Sequence, residues 1–402
     1  MADFQQDGTL LTLHRLGEPD LPLLEQELAG FARELPPALV LPCLGSDLAA
    51  PTFAAMLDEL SGAHYLGLVV LSLGKTGRKD LARARKLLEV LPQPSLILDN
   101  GGRALSHLLR DMEAKGLGLG PEGKGRAVWL ALGLVMAQGG ARVAAVQDCD
   151  VVGYDRQMLA RLLYPLLHPN LRCQFSKGYY ARVNQRLFGR VTRLFVGPLI
   201  QALTDVLGPL PFLRFLAAFR YPLAGEFALS LDLARRLRFA GDWGLEMGLL
   251  AELWQRANPR RLCQVDLADS YEHKHQVLSH DDPHRGLARM SQEIGRTLLA
   301  ALAGQGVDLS TGALRALLMA YRGRGEDSVE FYAAEAAING LVFDAAEERL
   351  AVETFARSLA RAVEQFIANP HGQEPGDSWS QAVWTAPEFW PRLIEAAALD
   401  LQ

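Results

Sequence analysis

Arg142-Val143-Ala144-Ala145-Val146-Gln147-Asp148-Cys149-Asp150 places two carboxylates one residue apart at the end of a short apolar run. The run reads as a strand over 142–147, and side chains two apart on a strand share a face, so both carboxylates can approach one hard divalent cation. Such a cation suits a diphosphate leaving group, whose developing charge it offsets. D-x-D pairs also occur as plain turn acids, so the neighbouring segments must decide. Upstream, Gly125–Gln138 has a helical pattern ended by Gly139-Gly140. Further apolar, β-branched runs at Ala38–Leu44, Leu66–Leu73, Ser95–Leu98, Arg172–Gly178 and Leu262–Leu267 alternate with helical patterns at Phe53–Leu60, Asp80–Leu91 and Ala104–Lys115. Strand–helix repetition predicts an α/β fold with a mostly parallel sheet and helices on both faces. In such sheets ligands bind beyond the carboxyl ends of the strands, where Asp148 and Asp150 fall.

The chain has 402 residues, 49% hydrophobic and 22% charged, with 41 Lys+Arg against 46 Asp+Glu, a net charge of −5. That balance argues against a nucleic-acid coat or a polybasic membrane binder. The charge is uneven. Residues 172–220 hold eight basic side chains against Asp205 alone, whereas residues 326–402 hold four basic and fourteen acidic ones. The first stretch reads as a receiver for a small anion and the second as a solvated acidic region. Cys43, Cys149, Cys173 and Cys263 form no C-x-x-C pair, which suggests neither a zinc cluster nor a disulfide framework and fits the cytoplasm. The acidic N-terminus does not resemble a signal peptide. Leu194 to Leu213 is nearly free of charge, but Pro198, Pro209 and Pro211 break it, so it reads as a buried or interface helix followed by a turn, without stable membrane insertion. After residue 284 the patterns are helical throughout. Val352, Phe355, Leu359, Val363 and Phe366 recur at helical spacing as one packing face.

Three more segments offer chemistry. Gly120-Pro121-Glu122-Gly123-Lys124-Gly125 opens a helix with a lysine among glycines. It suits an anion at a helix start, although its spacing is not that of a Walker loop and a plain turn into a helix remains open. Gly189-Arg190-Val191-Thr192-Arg193 supplies guanidinium, backbone and hydroxyl donors to a phosphate or carboxylate. Gly225-Glu226-Phe227 and Asp242-Trp243-Gly244-Leu245-Glu246 set acids beside glycine and an aromatic, suited to sugar hydroxyls or to anchoring loops. Finally, His273 and His275 follow the last strand and could complete a cation site.

In this order the segments resemble the glucosyl-3-phosphoglycerate synthases, retaining nucleotide-sugar transferases of the GT-A fold. The resemblance spans residues 36 to about 300 and rests on Val40-Leu41-Pro42-Cys43-Leu44, Gly123-Lys124-Gly125-Arg126-Ala127, Asp148-Cys149-Asp150, Gly189-Arg190-Val191-Thr192, Gly225-Glu226-Phe227-Ala228, Gly244-Leu245-Glu246-Met247 and His273. It implies an N-terminal extension (1–35), a GT-A catalytic domain (36–283) whose nucleotide-sugar half runs to about 150 with the acceptor half after it, and a helical C-terminal region (284–402). It further implies donor contacts from Pro42, Cys43, Leu44, Ser46, Ser72, Lys124, Asp148 and Glu246. Mg²⁺ or Mn²⁺ would be held by Asp150 and His273, with His275 in reserve, and 3-phosphoglycerate by Gly189, Arg190 and Thr192. Asp148, Glu246 and Lys124 would serve the chemistry.

The implied reaction moves glucose from UDP-glucose or GDP-glucose to the 2-hydroxyl of 3-phosphoglycerate with retention, in compatible-solute synthesis, by a cytoplasmic homodimer. Two departures leave the base open. The family's Pro-Ala-Leu-Asn-Glu is here Pro42-Cys43-Leu44-Gly45-Ser46-Asp47, and its Asp-Ser-Gly-Ser is Leu71-Ser72-Leu73-Gly74. Competing readings are a mannosyl or free-glycerate variant, a membrane-surface transferase with a lipid phosphate acceptor, and a catalytically silent interaction protein.

Overall fold

The apolar run Pro37–Leu44 forms a strand whose side chains alternate between two cores: Ala38 and Val40 point into one, Leu39, Leu41 and Cys43 into the other. That alternation is the period of a strand buried on both faces, and it recurs in the neighbouring strands. The computed structural model describes residues 10–74, 76–269, 278–279, 282–370 and 374–402. Among these, eight strands form one sheet: β1 (Leu11–Leu13), β2 (Pro37–Leu44), β3 (Leu68–Gly74), β4 (Ser95–Asp99), β5 (Val143–Val146), β6 (Phe175–Tyr180), β7 (Phe227–Ser230) and β8 (Leu262–Ala268), in the order β1-β8-β6-β7-β5-β2-β3-β4. Every pairing is parallel except those of β7, which runs antiparallel to both β5 and β6.

All six expected strands are present. β1 and β7 were not expected from the sequence, and β1 brings the N-terminal segment into the sheet by pairing with β8. The strand before the two carboxylates ends at Val146 rather than Gln147, so Asp148 and Asp150 stand on the loop after it, and shared strand geometry does not align them.

One face of the sheet is covered by helices 21–31, 51–61, 78–88 and 156–167 and the other by 103–114, 124–138 and the C-terminal helices 286–303, 311–338, 345–368, 379–385 and 389–399. The run 194–213 is the expected buried helix. A wide helical turn (191–196) leads into helix 197–207, Gly208 (φ +82°) ends it, and Pro211 opens the next. No helix among the described residues is long and apolar enough to cross a membrane. The Trp-rich end docks on helix 124–138. Trp379 stacks on Trp129 with centroids 4.2 Å apart and donates its indole N–H to the Trp129 carbonyl at 2.8 Å. Gly133 makes room, since a Cβ there would lie 1.8 Å from the Trp379 ring. On the same face, the Asp400 carboxylate accepts from the N–H groups of Ala104 and Leu105 at 2.7 and 2.9 Å, capping helix 103–114.

Candidate active site

A cavity of about 400 Å³ opens at the carboxyl ends of β5 and β6, the end of the parallel strands at which ligands are expected. Its floor is a charge cluster in which Glu246 is buried and Lys124 and Asp148 are half-buried. Lys124, first residue of helix 124–138, reaches Asp148 Oδ1 at 2.6 Å and Glu246 Oε1 at 3.6 Å. Glu246 lies in the first turn of helix 245–256, where the helix dipole favours an anion. Burial pushes its carboxyl pKa up, against the pull of Lys124 and Lys177. Burial would lower the Lys124 pKa, but Asp148 and Glu246 outweigh it and hold the ammonium firmly protonated. Gly225 closes the wall behind this pair: a Cβ there would stand 2.5 Å from Asp148 Oδ2 and 2.9 Å from Lys124 Nζ.

Below the floor lies one cation of the basic stretch 172–220. Lys177 on β6 is wholly buried and donates to the Ala224 carbonyl at 2.6 Å, pinning the turn that carries Gly225. Burial depresses its pKa to about 8, with Glu246 and Glu226 pulling the other way. Glu226, also buried, accepts from the Tyr180 hydroxyl at 2.7 Å. A lysine amid Phe175, Gly178 and Tyr179 on a strand buried on both sides was the available signal.

The glycine-rich loop packs backbone to backbone. Gly125 N–H donates to Gly241 O at 3.1 Å, and Cβ atoms at Gly123 and Gly125 would meet Gly241 O at 2.3 Å and Ala240 O at 1.8 Å. The glycines therefore serve this close approach, and the Lys124 side chain is what the loop delivers to the cavity. Asp242 anchors its loop, bonding Arg296 and the Gly244 N–H at 2.8 and 2.9 Å; of the two acids in that segment, Glu246 faces the cavity.

The lining also includes Arg182, Arg186, Gly189, Arg190 and Thr192 with Tyr221 and Trp243. Gly189 adopts φ +74°, and a Cβ there would sit 3.3 Å from the Tyr221 hydroxyl. Thr192 Oγ1 is buried without a hydrogen-bond partner among the described residues, an arrangement that costs free energy unless a ligand satisfies it. Arg190 is bound by the C-terminal region: its Nη2 meets Glu347 at 2.6 Å and its Nε meets Glu348 at 2.7 Å, while Arg193 Nη2 bonds Glu348 at 2.9 Å. Asp344 caps the helix bearing both acids, accepting from the N–H groups of Ala346 and Glu347 at 3.0 Å each. This corrects the reading of the acidic C-terminus as a solvated face: Glu348 is 5% exposed and, with Asp344 and Glu347, lines the cavity. The basic stretch divides too, since Arg172, Arg214 and Arg220 are exposed outside the cavity lining.

The expected donor residues lie at the ends of β2, β3 and β5. Pro42 and Leu44 are accessible, Cys43 is buried, and exposed Ser46 donates to Asp47 Oδ1 at 3.3 Å. Ser72 is turned inward, bonded to Ala127 O at 3.2 Å and to Asn100 Nδ2 at 2.9 Å. Asp150 is half-buried beyond β5 and not among the cavity-lining residues. His273 and His275 fall outside the described residues.

No protein-family profile matches the chain. The glucosyl-3-phosphoglycerate synthase of Persephonella marina is 39% identical over 400 residues, covering 100% of this chain and 99% of that protein. This chain belongs to the glucosyl-3-phosphoglycerate synthase family. A second family member, from Methanococcoides burtonii, is 33% identical over 385 residues, covering 94% of each chain. The crystal structure of the family's Mycobacterium tuberculosis enzyme, complexed with Mn²⁺, UDP-glucose and phosphoglyceric acid, shares the fold with a TM-score of 0.54 at 24% identity over 73% of this chain and 88% of that one.

Proposed function

We propose that this chain transfers glucose from UDP-glucose to the 2-hydroxyl of 3-phosphoglycerate with retention, as a metal-dependent enzyme. Full-length similarity to a glucosyl-3-phosphoglycerate synthase carries the reading. The cavity supports it, since its lining combines the Glu246 carboxylate, suited to sugar hydroxyls, with Arg182, Arg186, Arg190 and Thr192, suited to an anion. Asp150, on the loop after β5, offers a hard oxygen donor that suits Mg²⁺ or Mn²⁺, with His273 as the second expected ligand and Asp148 beside it on the nucleotide sugar. When bound, the cation neutralises charge developing on the departing diphosphate.

The chain's own residues divide the remaining work. Glu246 accepts hydrogen bonds from glucose hydroxyls, and Lys124 holds Asp148 and Glu246 in place while adding positive charge beside the leaving group. Arg190, Thr192, Arg182 and Arg186 orient the phosphate and carboxylate of the acceptor, so that its 2-hydroxyl meets the anomeric carbon. Asp148 and Glu246 are both held by Lys124, which leaves neither disposed as a covalent nucleophile. In the front-face route the anomeric C–O bond to the diphosphate breaks, the bond to the acceptor oxygen forms, and the acceptor proton leaves on the departing phosphate. A trapped glycosyl-enzyme adduct would overturn that route.

The same proposal includes a homodimer, for which Phe331 and Ile338, 62% and 85% exposed and seven residues apart on helix 311–338, offer an apolar stripe. Light scattering measures it. Cytoplasmic location is also part of it, supported by four free, buried cysteines. The functional test is nucleoside diphosphate release from UDP-glucose, GDP-glucose and GDP-mannose against 3-phosphoglycerate and glycerate, with Mg²⁺ or EDTA. UDP-glucose with 3-phosphoglycerate should give the highest kcat/KM, lost with EDTA and in Asp150→Asn. Release without any phosphoglycerate, or none at all, would refute the proposal.

A further inference from the structure

The carboxyl ends of β2 and β5 carry a second cluster, apart from the residues that line the acceptor cavity. Parallel register sets Val40 beside Val146; Cys43 follows three residues on along β2, and Cys149 three residues on in the loop after β5. Both side chains are buried, at 5% and 3% exposure, and both are free thiols. Beyond Cys43 the chain turns through Gly45 and Ser46 and brings Asp47 back over the pair. Asp47 Oδ2 accepts from the Leu44 N–H at 3.1 Å and lies 4.0 Å from Cys149 Sγ. Cys43 Sγ, Cys149 Sγ and an Asp47 carboxylate oxygen all stand within 4.8 Å of one another, the one such group of metal-ligating side chains among the described residues.

Two sulfurs and one oxygen around a common point are a cation's ligand set. Zn²⁺ takes sulfur at about 2.3 Å and carboxylate oxygen at about 2.0–2.2 Å, which places tetrahedral ligand atoms roughly 3.5–3.8 Å apart, so closing the cluster needs at most about 1 Å of side-chain movement. Three protein ligands leave a fourth position for water, and Asp47, only partly buried beside exposed Leu44 and Ser46, is the side from which a cation enters. Paired thiols select a borderline-soft ion over Mg²⁺ or Mn²⁺, which separates this cluster from the donor's cation. The third ligand is also what distinguishes it from a dithiol awaiting oxidation. We propose that Cys43, Cys149 and Asp47 form a binding site for a thiophilic divalent cation of the Zn²⁺ class. Since Cys149 stands between Asp148 and Asp150, a cation held there ties β2 to the loop that carries both carboxylates.

Metal-free full-length protein titrated with Co²⁺ tests the site directly, because thiolate ligation produces sulfur-to-cobalt charge-transfer absorption whether or not the enzyme turns over. The expected result is one equivalent of charge-transfer absorption, displaced by Zn²⁺, abolished in Cys149→Ser and weakened at least about tenfold in affinity in Asp47→Asn. Asp150→Asn should keep it, and Zn²⁺ should raise the Tm of the wild type but not of Cys149→Ser. Circular dichroism establishes that each variant is folded, and Cys43→Ser replaces Cys149→Ser if the latter is not. No charge-transfer band in the wild type, a band that survives both cysteine variants, or one lost in Asp150→Asn would overturn the proposal. So would formation of a Cys43–Cys149 disulfide under mild oxidation by a protein that takes up no cation.

Discussion

Glu347→Gln should strengthen acceptor binding. Arg190 meets two carboxylates, but they differ: Glu348 is buried and also holds Arg193, whereas the Glu347 side chain is 44% exposed and, among the described residues, pairs only with Arg190, at 2.6 Å. An incoming phosphate or carboxylate therefore displaces Glu347 and leaves Glu348 to orient the guanidinium. A partly exposed pair of this kind is worth about 0.5–1 kcal/mol after solvent screening, so removing the competing charge should lower the KM for 3-phosphoglycerate by roughly two- to fivefold. The assay is initial-rate UDP release against 3-phosphoglycerate at saturating UDP-glucose. High salt should narrow the gap between variant and wild type, because it screens the exposed pair. Glu348→Gln should act in the opposite sense, raising that KM at least about tenfold and costing on the order of 3 kcal/mol of stability, because two guanidinium groups lose their buried partner. An unchanged or higher KM in Glu347→Gln would refute the displacement argument.

Lys177→Met should stabilise the fold at neutral pH while lowering activity. A pKa depressed from 10.5 to about 8 means that the folded protein holds this proton less tightly than the unfolded chain, a cost of about 3 kcal/mol. That cost is complete below pH 8 and is relieved as pH rises from 8 toward 10.5. Allowing for the Ala224 carbonyl left unpaired, the variant should gain about 1–2 kcal/mol at pH 7 in urea unfolding, the advantage fading by pH 10; a difference independent of pH would refute the assignment. Trp379→Ala should cost about 3–5 kcal/mol, read as a lower midpoint of denaturation, by emptying the socket against Trp129 and Gly133. Gly189→Ala should raise the KM for 3-phosphoglycerate with little change in KM for UDP-glucose, since φ +74° costs an alanine about 1 kcal/mol and its methyl crowds Tyr221.

The strands that read clearly in the sequence are those with long, doubly buried apolar runs, such as Ala38–Leu44 and Leu262–Leu267. β1 escaped because Leu11–Leu13 is three half-buried residues at a sheet edge. β7 escaped because Phe227–Ser230 is short and follows Gly225-Glu226, which reads as a loop. Local context singled out Lys124, Asp148 and Glu246, and likewise Gly189, Arg190 and Thr192, and the fold brings both groups to one cavity. What local context could not show is long-range pairing. Glu347 and Glu348 lie more than 150 residues from Arg190, and their charge looked like surface charge because nothing nearby in sequence announces the guanidinium they meet. Lys177 was misread for the same reason: tallied with exposed arginines, it is the one basic residue of that stretch wholly buried inside the sheet.

The most direct measurement is the anomeric configuration of the product. Incubation with UDP-α-glucose, 3-phosphoglycerate and Mg²⁺, followed by proton NMR, should show UDP and an α-glucoside on the 2-oxygen of phosphoglycerate in equal amounts. A β-linked product, or UDP accumulating with free glucose and no glucosylated phosphoglycerate, would contradict retaining transfer to this acceptor.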